Sequence, residues 1–160
     1  SLVLQAAEHL PKPPKRLVLV AGMVPLYRRS MLSVLPQRVR ASFRLLSALS
    51  RLSGRDLKLP RSVINNYLCN GMDTMEVVRV MGFFGPMPTR VMTTRVSLDQ
   101  PQLSCPVTYV VLTQDKILPP DLQRRIAQRV PGVDLVQLES CHQVMLYKPR
   151  ELADVLLGFA

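Results

Sequence analysis

Residues 16–21 and 107–112 are apolar on nearly every residue over the length of a strand, and residues 133–138 form a third strand-length run, interrupted by Asp134 and Gln137. A run that does not alternate with polar residues suits a strand covered on both faces, as in a parallel sheet. Around these runs the apolar spacing changes to that of helices. Residues 2–10 read as a short helix, closed by Pro11, Pro13 and Pro14, which cannot continue one. Gly22 and Pro25 end the first strand. Leu122, Ile126 and Val130 recur every fourth residue after Pro119 and Pro120, and Pro131 and Gly132 close that helix. Leu152, Val155, Leu156 and Phe159 place one apolar face on a last helix that starts at Pro149. The alternation of helices with apolar strands predicts an α/β fold built on a parallel sheet.

Between the first and second strands, residues 26–98 read as an insertion without sheet. Leu35, Val39, Phe43, Leu46 and Leu49 follow one another at three or four residues, a single stripe of a helix. Arg38, Arg40, Arg44 and Arg51 supply its polar side, and Ser53-Gly54 ends it. A second helix begins at Pro60 and runs to Leu68. After the turn Cys69-Asn70-Gly71, Asp73 and Glu76 stand at capping-box spacing before a third helix over residues 74–81. Residues 82–88 form a loop rich in helix breakers, with Phe83 and Phe84 in it. Short helices rich in Leu, Met and Phe between two strands fit either a lid over an apolar pocket or a unit with its own small core. The domain pattern is then residues 1–25 as a core helix and strand, 26–98 as a helical cap, and 99–160 as the C-terminal core. Asp99 falls in the linker that closes the cap.

The second and third strands each end on a residue able to do chemistry. Residues 109–112 lead to Asp115, and Leu138 leads to His142, one of two histidines in the chain. Open parallel sheets place their sites at the carboxyl ends of the strands. An acid and a histidine at neighbouring strand ends fit the orienting acid and general base of a hydrolytic triad. Alone, Asp115 also fits a cap on the helix after Pro119, and His142 an ordinary loop histidine; their pairing points to catalysis. His9 reads as a surface residue, and Asp134 stands at the opposite end of its strand.

Composition narrows this picture. The 160 residues suffice for one domain with its own core, and 48% apolar residues argue against a disordered chain. No run of about 18 apolar residues appears, so no membrane span is expected. Cys69, Cys105 and Cys141 are widely spaced and match no zinc or disulfide pattern, which favours a reducing, cytoplasmic setting. A nucleophilic Cys141 beside His142 is disfavoured, because adjacent residues on a strand point to opposite faces. The net charge of +10 is one-sided: residues 1–60 hold eleven Lys or Arg against two acids, and residues 61–160 hold ten against nine. A solvated helical face explains this better than nucleic acid or an anionic membrane, since there is no Trp and no aromatic interleaving for base stacking.

These residues resemble the C-terminal half of an α/β-hydrolase, closest to small esterases related to plant methylesterases and hydroxynitrile lyases. The resemblance rests on residues 110–119 around Asp115, Gln123-Arg124-Arg125, the Cys141-His142 step, Met145-Leu146 and Lys148-Pro149, and on the first strand followed by Met23-Val24-Pro25. It implies that Asp115 is the triad acid and His142 the base. It implies a substrate pocket formed by Met23 and by the cap residues Met81, Phe83, Phe84 and Met87. It implies a small, ester-like substrate and no metal or organic cofactor. A Cys stands where the family usually has a Gly before its histidine. No G-x-S-x-G occurs in the sequence; in the family this nucleophile elbow precedes the first helix, where Ser1 falls at its end. The expectation is that the N-terminal half of the fold, with the serine and an oxyanion donor, lies upstream and that the 160 residues alone are catalytically incompetent and prone to self-association through the apolar edge at residues 17–21.

Two other functions compete with a carboxylic ester hydrolase. A non-catalytic remnant that binds small molecules would be indifferent to Asp115→Asn and His142→Ala. A basic binder of nucleic acid or membrane using residues 28–51 would lose affinity steeply with salt.

Overall fold

The computed structural model describes residues 2–96 and 105–159; Asp99 and the end of the predicted cap lie outside them. Its centre is a three-stranded parallel sheet. Helix α1 (Leu2–Glu8) leads to β1 (Leu17–Val20). The insertion follows, opened by β2 (Arg29–Ser30) and closed by β3 (Arg95–Val96). Between them lie a 3-10 turn (Met31–Val34), α2 (Gln37–Ser53), α3 (Arg61–Val63, continuing as a π-helical turn over Ile64–Leu68), α4 (Thr74–Met81) and α5 (Arg90–Thr93). The chain then forms β4 (Val107–Leu112), α6 (Pro120–Ala127), β5 (Asp134–Leu138), α7 (Val144–Tyr147) and α8 (Pro149–Leu157).

The sheet order is β1-β4-β5, both pairings parallel, with Leu17 opposite Val107 and Thr108 opposite Asp134. β4 is central and every one of its residues is buried, which is why its run contains no exposed position. Its side chains alternate between two helical layers. Tyr109 and Val111 pack with Leu4 of α1 and with Leu118, Leu122 and Ile126 around α6. Val110 and Leu112 pack with Val144, Leu152 and Val155 of α7 and α8. β1 lies at the edge of the described sheet and is only half-buried at Val18 and Val20. At the amino ends of the strands Arg16 donates to Thr108 Oγ1 and to Asp134, each at 2.7 Å, and lies 5.0 Å from the ring centre of Phe159. Asp134 is therefore a staple at the end of the sheet away from the site.

The insertion departs from expectation in three respects. First, it is not free of sheet. Arg29 and Ser30 pair antiparallel with Val96 and Arg95 and close its neck, and Leu57 bridges Met87. Two-residue ladders are too short to leave a periodic signal. Second, Leu35 precedes α2, and Val39, Leu46 and Leu49 of its apolar stripe are exposed. The inward face carries half-buried Arg40 and Phe43 and buried Ser47 instead. Third, the short helix α5 forms over residues to which no element had been assigned; outside the insertion, α7 does the same between His142 and Pro149. The third predicted helix forms as expected: Asp73 and Glu76 complete both hydrogen bonds of the capping box at 2.8 Å.

Candidate active site

Both strands β4 and β5 end at the same edge of the sheet, and the ladder continues past them. Thr113 N–H donates to Leu138 O and Gln114 N–H to Ser140 O. This holds the two following loops side by side. Asp115 sits three residues beyond β4 and His142 four beyond β5. Their side chains meet, with His142 Nδ1 2.7 Å from Asp115 Oδ2.

The acid is held by its own loop. Its other oxygen, Oδ1, accepts from Ile117 N–H and Leu118 N–H, both at 2.9 Å. Asp115 is 2% exposed, so its negative charge is stabilised by donors rather than by water. A carboxylate with two amide donors on one oxygen accepts from the imidazole on the other, which fixes Nδ1–H as the donor and leaves a lone pair on Nε2. Nε2 has no protein partner among the described residues. His142 keeps about a quarter of its side chain in solvent, so this nitrogen is free to take a proton. The pair has the orientation that an acid and general base require.

Gln123 of α6 is a residue that sequence reasoning did not assign to the site. It is fully buried. Its Oε1 accepts from Leu112 N–H at 2.9 Å, and its Nε2 donates to Leu118 O at 2.6 Å and Leu112 O at 3.0 Å. Nε2 also lies 3.4 Å from Asp115 Oδ2. The amide thus ties the end of β4 to both sides of the acid loop. A fully buried Gln one turn into a helix is polar where the pattern of Leu122 and Ile126 asks for an apolar residue, and that mismatch was the available signal.

The cap touches both loops. Asn70 Nδ2 donates to Gln114 O at 2.7 Å, and Tyr147 O–H donates to Gly71 O at 3.0 Å. The turn at residues 69–71 is pinned between the loop carrying Asp115 and the helix that follows His142. Cys141 is fully buried, and burial raises its thiol pKa. A thiol so held is neutral and inert, in keeping with the reading that disfavoured it as nucleophile. Cys69 is buried and raised in the same way.

The five expected pocket residues are not gathered in one place. Met23 packs against the sheet core. Met81 and Phe84 pack on the core of the insertion, formed by Ile64, Leu68, Cys69, Val77 and Val80, and Ile117 of the acid loop joins the same cluster. Met87 is half-buried at its bridge to Leu57. Phe83 is 70% exposed. Cavities of about 660, 320 and 220 Å³ lie on the insertion side of the molecule, and neither Asp115 nor His142 lines any of them.

No protein-family model matches the chain, and no curated protein does. Solved structures do. An extracellular α/β-hydrolase from a Paenibacillus species, described as sharing structural and functional homology with tobacco salicylic acid binding protein 2, superimposes with a TM-score of 0.87 at 18% identity, over 99% of this chain and 67% of that one. Polyneuridine aldehyde esterase gives 0.65 at 14% identity, over 98% and 66%. A thermophilic esterase from Thermogutta terrifontis gives 0.60 at 15% identity, over 99% and 60%. The chain thus spans about 60–67% of the length of the structures it matches. With its parallel sheet, its helices on both faces and these neighbours, the chain has the fold of the α/β-hydrolases.

Proposed function

We propose that the chain supplies the acid and the base of a carboxylic ester hydrolase working by a Ser-His-Asp mechanism. The observation that carries this reading is the 2.7 Å contact between His142 Nδ1 and the buried Asp115 carboxylate, at adjacent carboxyl ends of a parallel sheet. In the reaction Nε2 of His142 takes the proton of an attacking hydroxyl, and the imidazolium is stabilised by Asp115. The same Nε2 then returns the proton to the departing alcohol oxygen. The serine and the oxyanion donors belong to a segment preceding residue 1 in a longer chain. That the solved neighbours are half as long again as this chain supports this reading. Met81, Phe84 and Ile117, which join the insertion to the acid loop, form the wall nearest the dyad, and a small ester is the substrate class.

The test uses the protein as its source produces it. Its intact mass and N-terminal sequence establish whether a G-x-S-x-G precedes residue 1. Hydrolysis of p-nitrophenyl acetate is then compared between that protein, Asp115→Asn and His142→Ala. Both substitutions should lower kcat by about 10³–10⁴-fold with little change in KM. Full activity in either variant sinks the proposal. So does a mature protein that hydrolyses no ester although it carries the elbow.

A further inference from the structure

The largest of the three cavities lies away from Asp115 and His142. It is a half-open hollow of about 660 Å³, bounded by α2, the Met31–Val34 turn, the β2–β3 ladder and α5. Six arginines line it: Arg28, Arg29, Arg40, Arg44, Arg51 and Arg95. Arg40, Arg44 and Arg51 stand at i, i+4 and i+11, one side of α2. Arg29 and Arg95 come from the paired strands of the neck. Among the described residues none of the six has a carboxylate partner.

Like charges around one concavity repel, and the fold retains them. Two polar groups there are also left without partners. Ser47 is 4% exposed and its hydroxyl bonds to nothing, and Arg40 Nε is buried and unpaired. A buried polar group left without a partner is costly until a ligand or water meets it. Arg28, whose guanidinium lies 5.1 Å from the ring centre of Tyr27, holds a left-handed backbone conformation at φ 54. The electrostatic and hydrogen-bonding demands of this wall are met together by an anion with several acceptor oxygens.

We propose that this cavity binds a small soluble molecule carrying two or more phosphate groups. Guanidinium forks match phosphate oxygens two at a time. Six of them exceed what one carboxylate can use. The volume is that of a small-molecule site. The six charges ring a hollow, Arg40 half-buried and the other five exposed around its mouth, whereas the opposite side of α2 carries Val39, Leu46 and Leu49. Charges that ring a hollow of this size suit a compact polyanion better than the extended backbone of a nucleic acid or a flat lipid surface. The site is independent of the ester-hydrolase reading and survives or fails separately from it.

The experiment is isothermal titration calorimetry of the source protein with pyrophosphate, in 50 mM and 200 mM salt. Inorganic phosphate, a single-stranded oligothymidylate and phosphatidylserine-containing vesicles are titrated in parallel. Pyrophosphate should bind at one site, more tightly than phosphate. Arg40→Gln should weaken it about 10- to 100-fold, as expected for loss of a charged fork. Arg44→Lys keeps the charge and loses the fork, and should weaken binding by a smaller factor. Ser47→Ala should weaken it severalfold. The thermal midpoint of Arg40→Gln without ligand should equal or exceed that of the parent, since a repelling charge is gone; this separates a binding defect from a folding defect. The proposal is overturned if pyrophosphate does not bind, or if its affinity ignores all three substitutions. It is overturned equally if the oligonucleotide or the vesicles bind and pyrophosphate does not.

Discussion

Gln123 carries the most demanding structural test. In β4 the even-numbered residues bond towards β1, and Ala21 N–H donates to Val110 O as the last of these bonds. β1 has ended by the next even position, Leu112. The side-chain amide of Gln123 takes the place of the missing strand there, accepting from Leu112 N–H and donating to Leu112 O, while its second proton goes to Leu118 O. Gln123→Leu fills the same space and leaves these backbone groups unpaired in a dry interior. At about 1–3 kcal/mol for each of the three orphaned groups, the expected loss is at least about 3 kcal/mol. That is a large share of the roughly 5–15 kcal/mol available to a domain, and lowers the thermal midpoint by about 10 °C for a chain of this size.

Gln123→Glu sharpens the test. It keeps the acceptor for Leu112 N–H, removes both donor protons at neutral pH, and sets a charge 3.4 Å from Asp115 Oδ2. Burial and the neighbouring carboxylate raise the pKa of the introduced acid. Its folded pKa then exceeds its unfolded one, so stability is greatest below the ordinary carboxylate range and is lost as pH rises through the folded value. The deficit against the parent should shrink at pH 4. Urea unfolding followed by circular dichroism, at pH 7 and pH 4, measures both variants. A loss below about 1 kcal/mol for Gln123→Leu at pH 7 refutes the argument that this amide replaces a strand.

Two further expectations concern buried groups. Cys69 and Cys141 are buried with raised pKa values, while Cys105 is half-buried. Ellman's reagent should modify one thiol of the native protein quickly and the other two only at the rate of unfolding; fast reaction of all three contradicts the packing at His142. The Tyr109 phenol, which donates to Gly22 O at 2.8 Å, is pushed far up by burial and then by the Asp115 charge, and the two thiols are raised as well. These groups keep their protons longer in the folded chain than in the unfolded one. Their contribution is complete below the ordinary thiol and phenol range and is lost as pH climbs through it. The thermal midpoint should therefore fall steadily above about pH 9; a midpoint that stays flat to pH 11 rules this out.

The sequence alone determined the elements whose cause is local. The apolar run at residues 107–112 made β4 a strand buried on both faces, because no position in it tolerates water. Asp73 and Glu76 wrote the start of α4 into four consecutive residues. The acid and histidine could be read as a pair because a parallel sheet returns neighbouring strand ends to one edge. What the tertiary structure decided depends on groups distant in the chain. Gln123 became part of the acid loop only because β1 stops short of Leu112, and nothing near residue 123 records the length of another strand. Met23, Met81, Phe83, Phe84 and Met87 are alike in the sequence, yet packing sent them to the sheet core, the insertion core, a bridge and the solvent. The arginines of α2 looked like a solvated face. Arg38, Arg44 and Arg51 are indeed exposed, but the partial burial of Arg40, the burial of Ser47 and the two-residue neck at Arg29 and Arg95 set Arg40, Arg44 and Arg51 around one hollow. Charge along the chain fixes how many guanidiniums there are, while only the packing of one element on another fixes which way they point.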